Sequence, residues 1–125
     1  MKPIIAFDPG LTTGMAIISP GGKIVSMREF SYSEIMSGEF KEFSPLDPYV
    51  VIERTPVPTL SQLNIKLFDI QIELASSFPR NRVKFVKPTE WKSSRFGLEI
   101  IEHDSSHCQD AARLGLFYYS RLMEA

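Results

Sequence analysis

The chain has 125 residues, with 14 Lys and Arg against 15 Asp and Glu and a formal net charge of -1. That length suits a single domain, residues 1–125, burying about two-thirds of its unfolded surface, and argues against a second one. The near-neutral balance, with no long block of like charge, neither demands nor forbids a polyanionic partner.

A single cysteine, Cys108, cannot form an internal disulfide. The expected setting is therefore intracellular, with Cys108 read as a small buried apolar residue rather than a nucleophile. The apolar run after Lys2 stops at Asp8, far short of the ~20 residues that a membrane span needs. A cytoplasmic protein with no membrane partner is expected.

Ile4-Ile5-Ala6-Phe7 ends on Asp8 and passes into Pro9-Gly10-Leu11-Thr12-Thr13-Gly14. A short apolar run bounded by Pro and Gly reads as a buried strand entering a tight turn, here spanning Gly10 to Gly14. Met15 to Ile18 reads as a second strand, Pro20-Gly21-Gly22 as a turn and Lys23 to Phe30 as a third strand, which completes an antiparallel meander. Ser31 to Phe43 is weakly helical and is closed by Pro45 and Pro48. Tyr49-Val50-Val51-Ile52 is a second apolar strand that ends on a carboxylate, Glu53.

Thr59 to Phe78 carries Leu60, Leu63, Leu67, Ile70, Leu74 and Phe78 at helical spacing. Ile65, Phe68, Ile72 and Ala75 form a second stripe on nearly the opposite side. A surface helix needs one apolar face, so a further layer or a subunit partner is expected over Ile65, Phe68 and Ile72. Arg82 to Val86 alternates as a strand, Pro88 to Lys92 opens a short helix, and Asp104 or Ser105 caps a last helix that reaches about Met123.

A meander followed by alternating strand and helix implies an α/β fold with a mixed five-stranded sheet flanked by helices. Strand four is expected parallel to strand one, which sets Asp8 and Glu53 side by side at their carboxyl ends. Open α/β sheets place ligand sites at that edge. An ionised carboxylate there must be solvated, hydrogen-bonded or bound to a cation; the plainer reading of Asp8 is a side chain capping the turn after it.

On the last helix Asp104, His107 and Asp110 share one face, which Leu114 and Phe117 continue toward the core. Taken singly, Asp104 is a helix cap, His107 an exposed first-turn residue and Asp110 a solvated position. Brought together against Asp8 and Glu53, these carboxylates repel one another unless a cation or a proton intervenes. Such oxygen-rich clusters suit Mg2+, and an imidazole makes Mn2+ more competitive. Two such ions about 3.5 to 4 Å apart serve phosphodiester cleavage. Arg80, Arg82, Lys84, Lys87, Lys92 and Arg95 are opposed only by Glu90 and offer phosphate contacts. Trp91 and Phe96 read either as core residues or as base-stacking platforms.

The sequence resembles the RuvC-type Holliday junction resolvases of the ribonuclease H-like superfamily over nearly its whole length. IIAFDPGLTTGMAII is similar to the family's first strand, turn and second strand; YVVIE carries its second acidic residue, and HDSSHCQDAARLGLFYYSRL resembles its last helix. The resemblance implies a ribonuclease H-like fold, with Asp8, Glu53, His107 and Asp110 as ligands of two Mg2+ or Mn2+ ions. It also implies that Lys92 in PTEWK steadies the scissile phosphate, and that a homodimer cuts branched DNA such as four-way junctions.

Relative to the bacterial members, the interval from Asp8 to Glu53 is shorter, Lys92 to His107 lacks a Gly-rich stretch and a second lysine, and Pro56-Val57-Pro58 replaces an aromatic. A compact viral or mobile-element relative has this form. Competing expectations are a ribonuclease H-like nuclease acting on flaps, hybrids or structured RNA, and a catalytically silent junction binder. An actin-like ATPase or sugar kinase shares Asp-x-Gly-x-Thr-Thr but needs two such domains.

Overall fold

In the computed structural model, which describes residues 2–54, 61–91 and 105–124, the five expected strands form one sheet. They are β1 Ile4–Asp8, β2 Thr12–Ile18, β3 Ile24–Ser31, β4 Tyr49–Glu53 and β5 Val83–Val86, in the spatial order β3-β2-β1-β4-β5. β1 pairs antiparallel with β2, and β2 with β3, while β4 joins β1 and β5 joins β4 in parallel. The central position of β1 and β4 explains why their sequences are apolar runs rather than alternations, because both faces are covered.

Successive side chains on a strand leave opposite faces. Ile5 and Phe7 of β1 and Val50 and Ile52 of β4 pack on one side with Ile35, Phe40, Ile70, Leu74 and Phe78. Ile4, Ala6 and Val51 pack on the other with Trp91, Leu114, Leu116 and Phe117. The first layer is supplied by α1 Tyr32–Ser37, a following 3-10 segment Glu39–Leu46, and α2 Gln62–Ser76. The second comes from α3 Pro88–Trp91 and α4 Ser106–Glu124.

The weak helix expected over Ser31 to Phe43 is divided. Ser31 and Glu34 form a capping box that starts α1, and Gly38, with φ 82°, ends it in the left-handed region that glycine favours. The 3-10 segment continues through Pro45 to Asp47, so Pro45 lies inside it instead of closing the helix. Its one buried residue is Phe40, whose ring meets Phe7 edge-on at 5.8 Å and Phe78 at 6.1 Å.

α2 begins at Gln62, where the Ser61 side chain accepts from the Asn64 N–H and caps it; Thr59 lies outside the described residues. Leu60 and the side chain of Leu63 lie outside the described residues. α4 is capped by Ser105, whose hydroxyl accepts from the Cys108 N–H at 3.2 Å; Asp104 lies outside the described residues.

α4 lies close on the sheet where its residues are small. A Cβ on Gly115 would sit 2.8 Å from Ile18 Cγ1 and 3.2 Å from Ala6 Cβ. Truncating Phe40, which pins the 3-10 segment to the opposite layer, is expected to cost about 3–5 kcal/mol. Urea unfolding of Phe40→Ala should show this as a lower midpoint at an unchanged slope.

Candidate active site

The parallel register of β1 and β4 aligns Phe7 with Ile52, which brings the next residues, Asp8 and Glu53, to the same end of the sheet. Asp8 shares its face with Ile4 and Ala6, and Glu53 shares its face with Val51, the side covered by α4. Both carboxylates are buried, Asp8 to 8% and Glu53 to 4% exposure. The turn after β1 is closed by Thr13, whose hydroxyl donates to the Gly10 carbonyl at 3.2 Å. Asp8 is directed instead to α4, where Oδ2 lies 3.5 Å from His107 Nδ1. Asp110, one turn further along the same helix face, is near enough to act electrostatically on Asp8.

Burial, then the charges of Glu53 and Asp110, push the Asp8 carboxyl up from its ordinary 3.8 to about 7, against the opposing pull of His107. Glu53, Asp110 and His107 are thus all near enough to Asp8 to act on its charge. Arg113 was not foreseen: its guanidinium lies 3.9 Å from Asp110 Oδ1 and 5.3 Å from the centre of the Trp91 ring. The signal was present in the i,i+3 spacing of Asp110 and Arg113. Trp91 is fully buried, which favours the core reading over base stacking. Cys108 is also buried, and burial raises its thiol further from a reactive thiolate.

The donor set suits a hard divalent cation by its chemistry, since carboxylate oxygens predominate and their mutual repulsion falls when positive charge is added. Among the described residues, no group of three or more His, Cys, Asp or Glu side chains is drawn together closely enough to hold a metal ion.

The expected basic strip divides between surfaces. Exposed Arg80 and Lys87 border a groove of about 1450 Å³ with Arg54, Phe68, Ile72 and Phe85 on the α2 side. Lys84 lies on the α4 side near Phe117 and Arg121, because alternate residues of β5 leave opposite faces. Arg82 is held by Asp47 at 3.3 Å and over the Tyr49 ring. Ile65, Phe68 and Ile72 are 47, 53 and 50% exposed, so nothing within the described chain covers that stripe. Lys92, Arg95 and Phe96 lie outside the described residues. No described helix is long and apolar enough to cross a membrane.

No family model and no curated protein matches the sequence. Solved structures do match. Thermus thermophilus RuvC in complex with a Holliday junction substrate superposes with a TM-score of 0.75 at 15% identity, covering 98% of this chain and 97% of that one. A second Thermus thermophilus RuvC structure gives 0.68 at 15% identity, with coverage of 97% and 96%. The fowlpox virus resolvase, in a complex with substrate Holliday junction DNA, gives 0.61 at 16% identity, with coverage of 97% and 99%. The fold of the chain is thus that of the RuvC-type resolvases, a ribonuclease H-like mixed sheet with flanking helices.

The raised carboxyl of Asp8 has a consequence for stability. Between 3.8 and about 7 the folded state holds a proton that the unfolded chain releases. The contribution is therefore greatest below the lower value and is lost as pH rises through the upper one. In EDTA, Tm is expected to include a falling contribution between pH 4 and pH 7, and Asp8→Asn should remove it and be the more stable protein above pH 7. A Tm difference between the two that does not change with pH would contradict this account.

Proposed function

We propose that the chain is a divalent-metal-dependent endonuclease that cleaves phosphodiester bonds in branched DNA, four-way junctions above all, as a homodimer. The observation that carries this reading is the convergence of two buried strand-end carboxylates on the first turns of α4, with His107 3.5 Å from Asp8. The likeness to resolvase structures solved with Holliday junctions supports the substrate class.

In this reading Asp8, Glu53, His107 and Asp110 hold two Mg2+ or Mn2+ ions. When bound, these supply Lewis-acid stabilisation of charge on the phosphate and a more acidic water. The protein's own part is positional. Asp8 and Glu53 end strands in the packed centre of the sheet and so have little freedom, while His107 and Asp110 are carried by one rigid helix. Their charge repels a phosphodiester until it is neutralised, which ties productive DNA binding to cation binding. His107, with 45% of its side chain exposed, is half open to solvent beside the buried Asp8. Lys92 is proposed to contact the scissile phosphate; Arg80, Lys87 and Lys84 offer phosphate contacts on two surfaces.

The half-exposed Ile65, Phe68 and Ile72 support an isologous dimer through α2, since a contiguous apolar stripe of this kind marks an interaction face. Glu substitutions at Ile65 and Ile72 should yield monomers by light scattering; an unaltered dimer mass would remove this interface.

End-labelled four-way junction, flap, duplex and RNA–DNA hybrid, each tested with Mg2+, Mn2+ and EDTA, separate the alternatives. Paired cuts near the junction centre, absent in EDTA, are expected. Preference for a flap or hybrid would replace the substrate class, and junction binding without cutting under any ion would leave a silent binder. Asp8→Asn, Glu53→Gln and Asp110→Asn are each expected to abolish cleavage while retaining or tightening junction binding. Near-normal cutting by Asp110→Asn would refute the assigned site.

A further inference from the structure

Sequence pattern puts Gly14 at the end of a turn, but in the fold it is an interior residue of β2, directly opposite Asp8 in the β1–β2 ladder. A glycine inside a strand marks a place where another backbone comes close, and at Gly14 that backbone is the first turn of α4. A Cβ there would lie 2.1 Å from the His107 carbonyl oxygen, 2.3 Å from its carbonyl carbon and 2.8 Å from the Cys108 nitrogen. Contacts under 3.0 Å are essentially never adopted by real Cβ atoms. All three neighbours are main-chain atoms, so a rotamer change cannot relieve the clash; the helix turn has to retreat, by about 1 Å. A misplacement of that size at a reacting centre costs on the order of 100-fold in rate.

The turn that would move carries His107, whose Nδ1 is 3.5 Å from Asp8 Oδ2, and leads into Asp110. We propose that Gly14 is a positioning residue of the candidate site: its missing side chain seats the first turn of α4 on β2, and that seating sets how closely His107 and Asp110 approach Asp8 and Glu53. The inference rests on the nuclease reading for its catalytic consequence, but its geometric content is independent of it.

Gly115 is the matched control. It brings the same helix to the same sheet, but the atoms a Cβ would meet there are side-chain carbons of Ile18 and Ala6, away from the carboxylates. Gly14→Ala and Gly115→Ala should be compared with the parent by thermal unfolding, by calorimetric titration with Mn2+ and by single-turnover junction cleavage in Mg2+. Gly14→Ala is expected to lose at least tenfold in Mn2+ affinity and on the order of 100-fold in cleavage rate. Gly115→Ala should lower Tm and keep both.

Wild-type Mn2+ affinity and rate in Gly14→Ala would overturn the proposal and leave the nuclease reading intact. Equal losses of affinity in the two variants at equal loss of Tm would also overturn it, by reducing Gly14 to a packing residue. A parent that binds Mn2+ but cuts no substrate, paired with a Gly14→Ala variant of weakened Mn2+ affinity, would support the positioning role while removing the nuclease reading. Should Gly14→Ala not fold alone, the substitution in the Asp8→Asn background is read by nuclear Overhauser contacts between position 8 and the His107 ring. Their loss supports the proposal and their retention overturns it.

Discussion

Side-chain alternation along β1 is the constraint on which the candidate site depends. Ile5 and Phe7 must face the α1–α2 layer and Ile4 and Ala6 must face α4, so Asp8, two residues beyond Ala6, is committed to the α4 side. β4 obeys the same rule in parallel register, and Glu53 follows Val51 to that side. A slip of one residue in either strand would bury the wrong set and send a carboxylate to the opposite layer. Because both faces of the central strands are filled with apolar side chains, the register that satisfies the core is also the register that assembles the site.

This arrangement places charge where the surroundings resist it. The strand ends that hold Asp8 and Glu53 are closed by the sheet on one side and by α4 on the other, and burial alone is the largest influence on the Asp8 carboxyl. The neighbouring carboxylates add to it, and only His107 opposes them. Ionisable groups with displaced titration, gathered at one edge of a sheet, are a mark of functional sites. Here the packing of Ile18, Ala6 and Leu114 around α4 offsets the electrostatic penalty and keeps the group together. Arg113, near both Asp110 and the Trp91 ring, adds a cation beside the cluster.

The two helical layers serve different ends. α4 is committed to the sheet through Cys108, Ala111, Ala112, Leu114 and Phe117, and its polar first turns reach the carboxylates. α2 buries Ile70 and Leu74 but presents Ile65, Phe68 and Ile72 outward, beside a groove bordered by Arg54, Arg80 and Lys87. One face of the sheet thus carries the buried carboxylates and α4, and the other presents an apolar surface with cations at its margin.

Much of this was legible in the chain because the apolar runs are short, strongly patterned and stop on acids. Tyr49 to Glu53 was delimited to the residue, and Asp8, Glu53, His107 and Asp110 could each be named as candidates from strand ends and helical spacing. Local signals failed where a distant part of the molecule decided the outcome. Gly14 has the composition of a turn, yet β2 runs through it because the α4 backbone needs the space a side chain would fill. Gly38 divides what reads as a single weak helix, since its left-handed conformation ends α1 and starts a 3-10 segment anchored by Phe40. The cations between Arg80 and Lys87 are neighbours in sequence but not on one surface, because strand geometry separates alternate residues. Which residues are apolar, which carry charge and at what period they recur are written in the chain, and local sterics turn that information into strands and helices. That Asp8 meets His107 is not written there, for the approach depends on close packing between a strand and a helix separated by nearly the length of the chain.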